Sequence, residues 1–481
     1  MKKNSVVKIS AISQLLFDFN SYIHSDLIQS VIGKRKQDFT RNRNMCFFNI
    51  LYFLIFRSCS NLNSELSSFY SSLGCLKKRI SKQAMHKAVK KVNPNVFTLL
   101  IHKFSSLFYK SNLPKTYKGY IILSEDGTSN QIPYSTANLN DFQYITSCYV
   151  KDMFDVRIIT AKAAGLYDVT NGLFLDYTLK PSYYSETLLA FEHLYRVKEM
   201  LDDFKVVYLA DRYYGSAEII SHLESIGFKY CIRGKSNFFK KQVAAMKTDD
   251  EWIEVEIDQK WRKRFRFSPD ALTEREKNPV MKIRVVKFIY EYIDKYGKRN
   301  KTNIIYFTNL DKQEFSVEEI ISLYAMRWDI EVSYKTLKTD QEIERHYSDD
   351  GDVARCNIYA KILFFNIAGL FRKELNKQLE KNYRSDENQY LYNINIVQLH
   401  EMIKESNIME SMIKKKKYTV QKKLREISSL IDKIKVPIRE NRHNERWGKI
   451  VVSGFPYRFT LDGRNYPKLI RYKGTLMTKR P

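Results

Sequence analysis

Apolar residues recur at helical spacing from Ile12 to Val31, and the chain is apolar again from Met45 to Cys59 after a basic link of Lys34, Arg35, Lys36, Arg41 and Arg43. That period predicts helices, and residues 1–110 read as a separate all-helical N-terminal domain. Ser81 is placed to cap one of them, carrying Lys82, Gln83, His86, Lys87, Lys90 and Lys91 around Ala84, Ala88 and Val92. Near Pro114 the pattern turns to strands. Tyr120–Leu123 is apolar and runs into Ser124-Glu125-Asp126-Gly127-Thr128, which predicts a strand stopping at Asp126 with a glycine turn behind it.

The runs 156–166 and 172–179 then predict an antiparallel three-strand meander, followed by a helix over 185–201. A buried strand over 204–210 ends in an acid, Asp211, before a helix from Ser216 and a third strand over 228–233. Three strands, helix, strand, helix, strand, helix is the order of an RNase H-like α/β core. Residues 236–300 alternate in strand fashion at Trp252–Ile257, Phe265–Phe267 and Met281–Tyr292, with a charged, Pro-containing loop between, and 303–310 returns as a strand. The expected division is 1–110, a core in two parts (111–235 and 301–380) around a β-strand insertion (236–300), and a basic C-terminal region (381–481).

Ser316 followed by Glu319 is a capping box, with Phe315 and Ile320 at its staple positions. Leu323, Ile330 and Leu337 recur every seven residues after it, predicting one helix from Ser316 to Lys338 with a buried seam. At about 100° per residue, Tyr324, Arg327, Glu331 and Lys338 fall within roughly 60° of one another beside that seam. An exposed face with an i,i+4 pair explains two of the four and would be worth only a few tenths of a kcal/mol. An apolar helix over 360–371 follows and closes the core.

The 481 residues hold 81 Lys and Arg against 54 Asp and Glu, a net charge of +27. Such a chain attracts polyanions and releases their counterions. Its cations are spread along the chain instead of flanking an amphipathic terminus, which points to nucleic acid and away from a membrane surface. The Ser81 helix suits either DNA or plain solvation. Cys46, Cys59, Cys75, Cys148, Cys231 and Cys356 form no C-x-x-C pair and read as reduced core thiols of a cytoplasmic protein at the nucleoid. Gly234-Lys235-Ser236 mimics a P-loop end, but Lys229 stands where the earlier glycine belongs, so no nucleotide cofactor is expected.

The spacing Y-x2-R-x3-E-x6-K at Tyr324, Arg327, Glu331 and Lys338 resembles the signature of insertion-sequence transposases of the IS-four type, in the DDE (retroviral-integrase-like) superfamily. Asp126-Gly127-Thr128, Asp211 with its following aromatic and Gly215, and Tyr230–Arg233 resemble further blocks of that family. The likeness spans about residues 80–450. It implies a catalytic, metal-binding triad of Asp126, Asp211 and Glu331 holding two Mg2+ ions, with Mn2+ able to substitute. It also implies phosphate contacts from Tyr324, Arg327 and Lys338, joined by Arg212 and Arg233 of the other blocks. Cleavage at insertion-sequence ends and transfer of the 3′ ends to target DNA would follow, by a homodimer assembled on the terminal repeats. An RNase H-fold nuclease without strand transfer and an inactive DNA-binding descendant are the alternatives. In the insertion, Trp252 or Trp261 is read either as a base-stacking ring or as an ordinary core tryptophan. The C-terminal cations, Lys414–Lys417, Arg439, Arg442, Arg446 and Lys449, suit phosphate contact or self-association.

Overall fold

The computed structural model describes residues 2–41, 44–58, 61–146, 157–235, 237–293, 297–346, 348–383 and 390–438. Arg43, Cys59, Cys148, Ser236 and the cations Arg439, Arg442, Arg446 and Lys449 lie outside the described residues.

The centre is a mixed sheet. Its strands are β1 Tyr120–Gln131, β2 Tyr144–Thr146, β3 Arg157–Asp168, β4 Leu173–Pro181, β5 Lys205–Ala210, β6 Lys229–Arg233, β7 Asp250–Glu256, β8 Val280–Ile293 and β9 Arg299–Thr308. They lie in the order β2-β3-β1-β5-β6-β9-β8-β7, with β4 paired to β3. The meander of β1, β3 and β4 is antiparallel, whereas β5 and β6 run parallel to β1. The crossovers are helices, Glu186–Val197 before β5 and Ala217–Ser225 before β6, whose N-cap serines Ser185 and Ser216 each accept a first-turn backbone N–H.

Three local expectations change. Strand β1 does not stop at Asp126, because its pairing with β3 continues unbroken to Gln131↔Thr160. Gly127 serves close approach instead of a turn: a Cβ there would lie 2.5 Å from the Glu186 carboxylate. In the insertion, Phe265–Phe267 is no strand. Glu218 accepts the backbone N–H groups of Arg266, Phe267 and Ser268, which turns the chain there. Ser268 then caps the helix Pro269–Lys277 where a loop was expected. The remaining insertion strands extend the central sheet, since β9 pairs with β6 at Cys231↔Thr308. Finally, the long signature helix is two helices, Val317–Ala325 and Trp328–Thr339. Four i→i−3 bonds, from Met326, Arg327, Asp329 and Ile330, tighten the join. The capping box at Ser316 and Glu319 is present as read.

Helix Gly351–Asn382 is long and apolar enough to cross a bilayer, but nearly all its apolar window is buried inside the protein. The N-terminal helices pack on it. Phe56 meets Phe364 edge to face at 5.7 Å, and Arg57, paired with Glu65 at 3.0 Å, donates to Asn357 at 2.9 Å. The described residues up to 110 are mainly helical and share one apolar core with the rest of the chain. Cys46 and Cys75 are half-buried and Cys231 and Cys356 buried, all four as free thiols.

Candidate active site

The parallel ladder of β1 and β5 pairs Ser124 with Leu209. Carried two residues further, past the end of β5, that register would bring Asp211 level with Asp126. Asp211 is the first residue past β5, and its Oδ1 accepts the Tyr213 N–H at 2.7 Å, which shapes the turn. Glu331 stands in the first turn of the Trp328–Thr339 helix. That helix is tied to β1 at two points. Tyr334 Oη donates to the carbonyl of Asp126 at 2.7 Å, and Lys338 Nζ donates to Thr128 Oγ1 at 2.9 Å and to the Ser129 carbonyl at 2.8 Å. Gly165 of β3 makes room, since a Cβ there would be 3.1 Å from Tyr334 Oη and 2.9 Å from the Phe174 ring.

The buried guanidinium of Arg327 lies between two of the acids. Its Nη2 donates to Glu331 Oε1 at 2.7 Å, and its Nη1 is 3.6 Å from Asp126 Oδ2. Burial pushes the Asp126 carboxyl up to about 7, against the pull of Arg327 and of the Gly127 N–H, with the charges of Glu331 and Asp211 adding to the rise. Asp126 thus lies within electrostatic reach of both Glu331 and Asp211. Glu125, one residue earlier on β1, is fully buried against His193 Nδ1 at 2.9 Å and belongs to the interior instead.

Carboxylate oxygens are the hard donors that Mg2+ prefers, so the set fits such an ion in kind. Among the described residues no three acids, histidines or cysteines are close enough to hold one as they stand. Arg327 occupies the space between Asp126 and Glu331 and supplies the positive charge there.

Tyr324 is nearly buried, its ring 4.3 Å from that of Tyr306 on β9. Arg233, paired with Tyr306 across β6 and β9, is half-buried and close enough to influence both phenols. Arg212 is exposed just past Asp211. Trp252 sits on the edge strand β7, five strands from β1, or roughly 24 Å at ordinary strand spacing. Trp261 packs on Phe239 at 5.8 Å with Arg264 over its ring. Neither tryptophan is brought beside the acids by any contact seen here. Two rings that sequence reading passed over do stand exposed there. Trp328 is 58% exposed under Arg327, with 5.3 Å from guanidinium to ring, and Tyr213 is 53% exposed beside Asp211 with Lys235 over it. Their signal was adjacency to residues already singled out. Of the basic helix at Ser81, His86 and Lys90 face Asp349 at 2.8 and 3.0 Å, so part of its charge is spent inside the protein.

Residues 150–367 match the family described as Transposase DDE domain, a span that holds Asp211 and Glu331 and begins after Asp126. The chain is 25% identical over 343 residues to the transposase for insertion sequence element IS231E of Bacillus thuringiensis subsp. finitimus, covering 64% of this chain. It spans 66% of that relative's length. A cryo-EM structure of the piggyBac transposase synaptic complex with hairpin DNA overlays with a TM-score of 0.40 and 10% identity, over 87% of this chain and 85% of that one. An overlay that loose carries no argument.

Proposed function

We propose that the chain is an insertion-sequence transposase with a DDE domain, as its likeness to that family and to the IS231E transposase supports, and that it cuts double-stranded DNA at the ends of its element and joins the freed 3′ ends to target DNA. The observation that carries this reading is that β1 and β5 are neighbouring parallel strands, with Asp126 on β1 and Asp211 just past the end of β5, and that the Glu331 helix is tied across β1. The core strand order, an antiparallel meander followed by two parallel strands, supports an RNase H-like fold.

Asp126, Asp211 and Glu331 would hold two Mg2+ ions, or Mn2+ in their place. Bound there, the ions would activate the attacking oxygen and stabilise the leaving one. The protein's own part is to bring the acids together on rigid elements and to place cations for the phosphates. Arg327, Arg233, Arg212 and Lys338 are the candidates, with the Tyr324 hydroxyl among them. The net charge of +27 supports DNA as partner, and two ends to be joined support a homodimer assembled on them.

The test is cleavage of an end-containing duplex by Asp126→Ala, Asp211→Ala and Glu331→Gln proteins. Each should lose cutting by about a thousandfold or more while retaining end binding. Cutting at the wild-type rate by Asp211→Ala protein would overturn the triad. Strand transfer from pre-cut ends separates a transposase from a nuclease of the same fold.

A further inference from the structure

Away from the three acids, the turn joining β3 and β4 and the long helix Gly351–Asn382 enclose a half-open cavity of about 230 Å³. Its walls carry Lys115, Arg372, Lys373 and Lys377 against two carboxylates, Asp329 and Glu380. Arg372 has no carboxylate within ion-pair distance among the described residues. Lys373 reaches Asn171 Oδ1 only at 3.5 Å and faces the buried Asp168. His400 also lines the cavity. It is 4% exposed and its Nδ1 has no hydrogen-bond partner.

A half-buried guanidinium with no ion-pair partner, an ammonium held in low dielectric and an orphaned imidazole nitrogen on one cavity are stabilised when an anion completes them. Arg offers a planar fork and Lys a point charge, the donor pair that suits the oxygens of a phosphate group. The volume admits more than one phosphate, so a diphosphate or a phosphodiester segment fits and a bare halide would leave it mostly empty.

We propose that this cavity is a phosphate-binding site, occupied either by a free phosphorylated compound or by a backbone phosphate of nucleic acid. Arg372 and Lys373 are its main donors, and His400 supplies a further one when the anion is bound. One wall is Asp329, two residues from Glu331 on the same helix, so occupancy would bear on how that helix sits over β1. The proposal does not depend on the reading of the three acids, because binding at the cavity is measured without any cleavage.

The probes are inorganic pyrophosphate and a short duplex, each at matched ionic strength with sodium chloride as control. The amine of Lys373 is brought down to about 8, chiefly by burial, so it should be acetylated by limiting acetic anhydride at neutral pH. Mass spectrometry of the full chain reads that site. Pyrophosphate should protect Lys373 against acetylation, and Arg372→Gln should weaken that protection by roughly tenfold in concentration. Protection by the duplex as well as by pyrophosphate, weakened in both cases by Arg372→Gln, identifies the backbone as the source. Protection by pyrophosphate alone identifies a free compound. If Lys373 reacts equally with and without both probes in the wild-type protein, the proposal is wrong. That outcome needs no variant and stands even if Arg372→Gln fails to fold.

Discussion

The hydroxyl of Tyr334 donates to the backbone carbonyl of Asp126 at 2.7 Å. A helix 208 residues away in sequence is thereby fixed to the middle of the strand that carries the first acid. Tyr334 is buried, and its ring lies 5.7 Å from Phe174 of β4. Replacing it with Phe removes one hydrogen bond and leaves the packing. Stability should fall by about 1 kcal/mol, and cleavage should fall further than stability alone explains, because Glu331 rides on the same helix. Equal rates for Tyr334→Phe and wild type at a temperature where both are folded would show that the tie does not position the acids.

Arg327 holds oxygens of Asp126 and Glu331 for which a divalent cation bound by the proposed triad would compete. Without metal, Arg327→Gln should lower the melting temperature, since two carboxylates then lose the charge between them. On adding Mg2+ the variant should recover more than the wild type gains. Thermal melts in EDTA and in millimolar Mg2+ measure this, and identical metal-induced shifts in both proteins would argue that no ion binds between these acids.

The helices of the N-terminal region, the three-strand meander and the Ser316 capping box could all be read from the sequence, because each rests on local period or a local cap. What escaped reading depends on partners distant in the chain. Gly127 looks like a turn until Glu186 is seen against it. Phe265–Phe267 looks like a strand until Glu218 gathers its backbone N–H groups. The stripe of Tyr324, Arg327, Glu331 and Lys338 assumed an unbroken helix, and the tight join at Met326–Arg327 carries no Pro or Gly to announce it. Nothing local marks where the Tyr334 hydroxyl goes.

Gly127→Ala places a methyl group 2.5 Å from the Glu186 carboxylate, which is held by Lys162 at 2.6 Å. The carboxylate is the far end of a flexible side chain, so the cost should sit near the low end of the overpacking range, about 1 kcal/mol. Most of it should vanish in the Gly127→Ala, Glu186→Ala double variant. Chemical denaturation of the four proteins forms the cycle, and a double variant no better than Gly127→Ala alone would place the strain elsewhere.

His346 is buried, and burial, aided by the charges of Arg57 and Lys361, lowers its imidazole from 6.5 to about 3. Between those values the unfolded chain binds a proton that the native protein does not. Its contribution is therefore fully present above about 6.5 and is lost as pH falls, by about 1.4 kcal/mol per unit. Other groups titrate over the same range, so the measurement is a difference. His346→Asn should be less stable than wild type at pH 7.5, and the deficit should shrink steadily in urea melts down to pH 5. A deficit constant across that range would mean that His346 is not held neutral.

Lys338 was read from the sequence as a free cation for phosphate, yet its ammonium already donates to Thr128 and Ser129 of β1 and lies 3.8 Å from Glu344. Its side chain remains 32% exposed, so it can serve both β1 and a phosphate. Lys338→Met keeps the aliphatic stem and removes every donor, whereas Lys338→Arg keeps the charge. If the residue contacts DNA, the Met variant should lose roughly 1–3 kcal/mol of end binding. Its log-log salt slope should be shallower by about 0.9, the release expected for one phosphate, and Arg should restore both. If the lysine only fastens the helix to β1, the Met variant should melt earlier while its salt slope matches the wild type. Affinity measured across a salt series, beside thermal melts of the same three proteins, decides between them. An unchanged slope with a lowered melting point would remove Lys338 from the DNA-contacting set and leave it as a brace for Glu331.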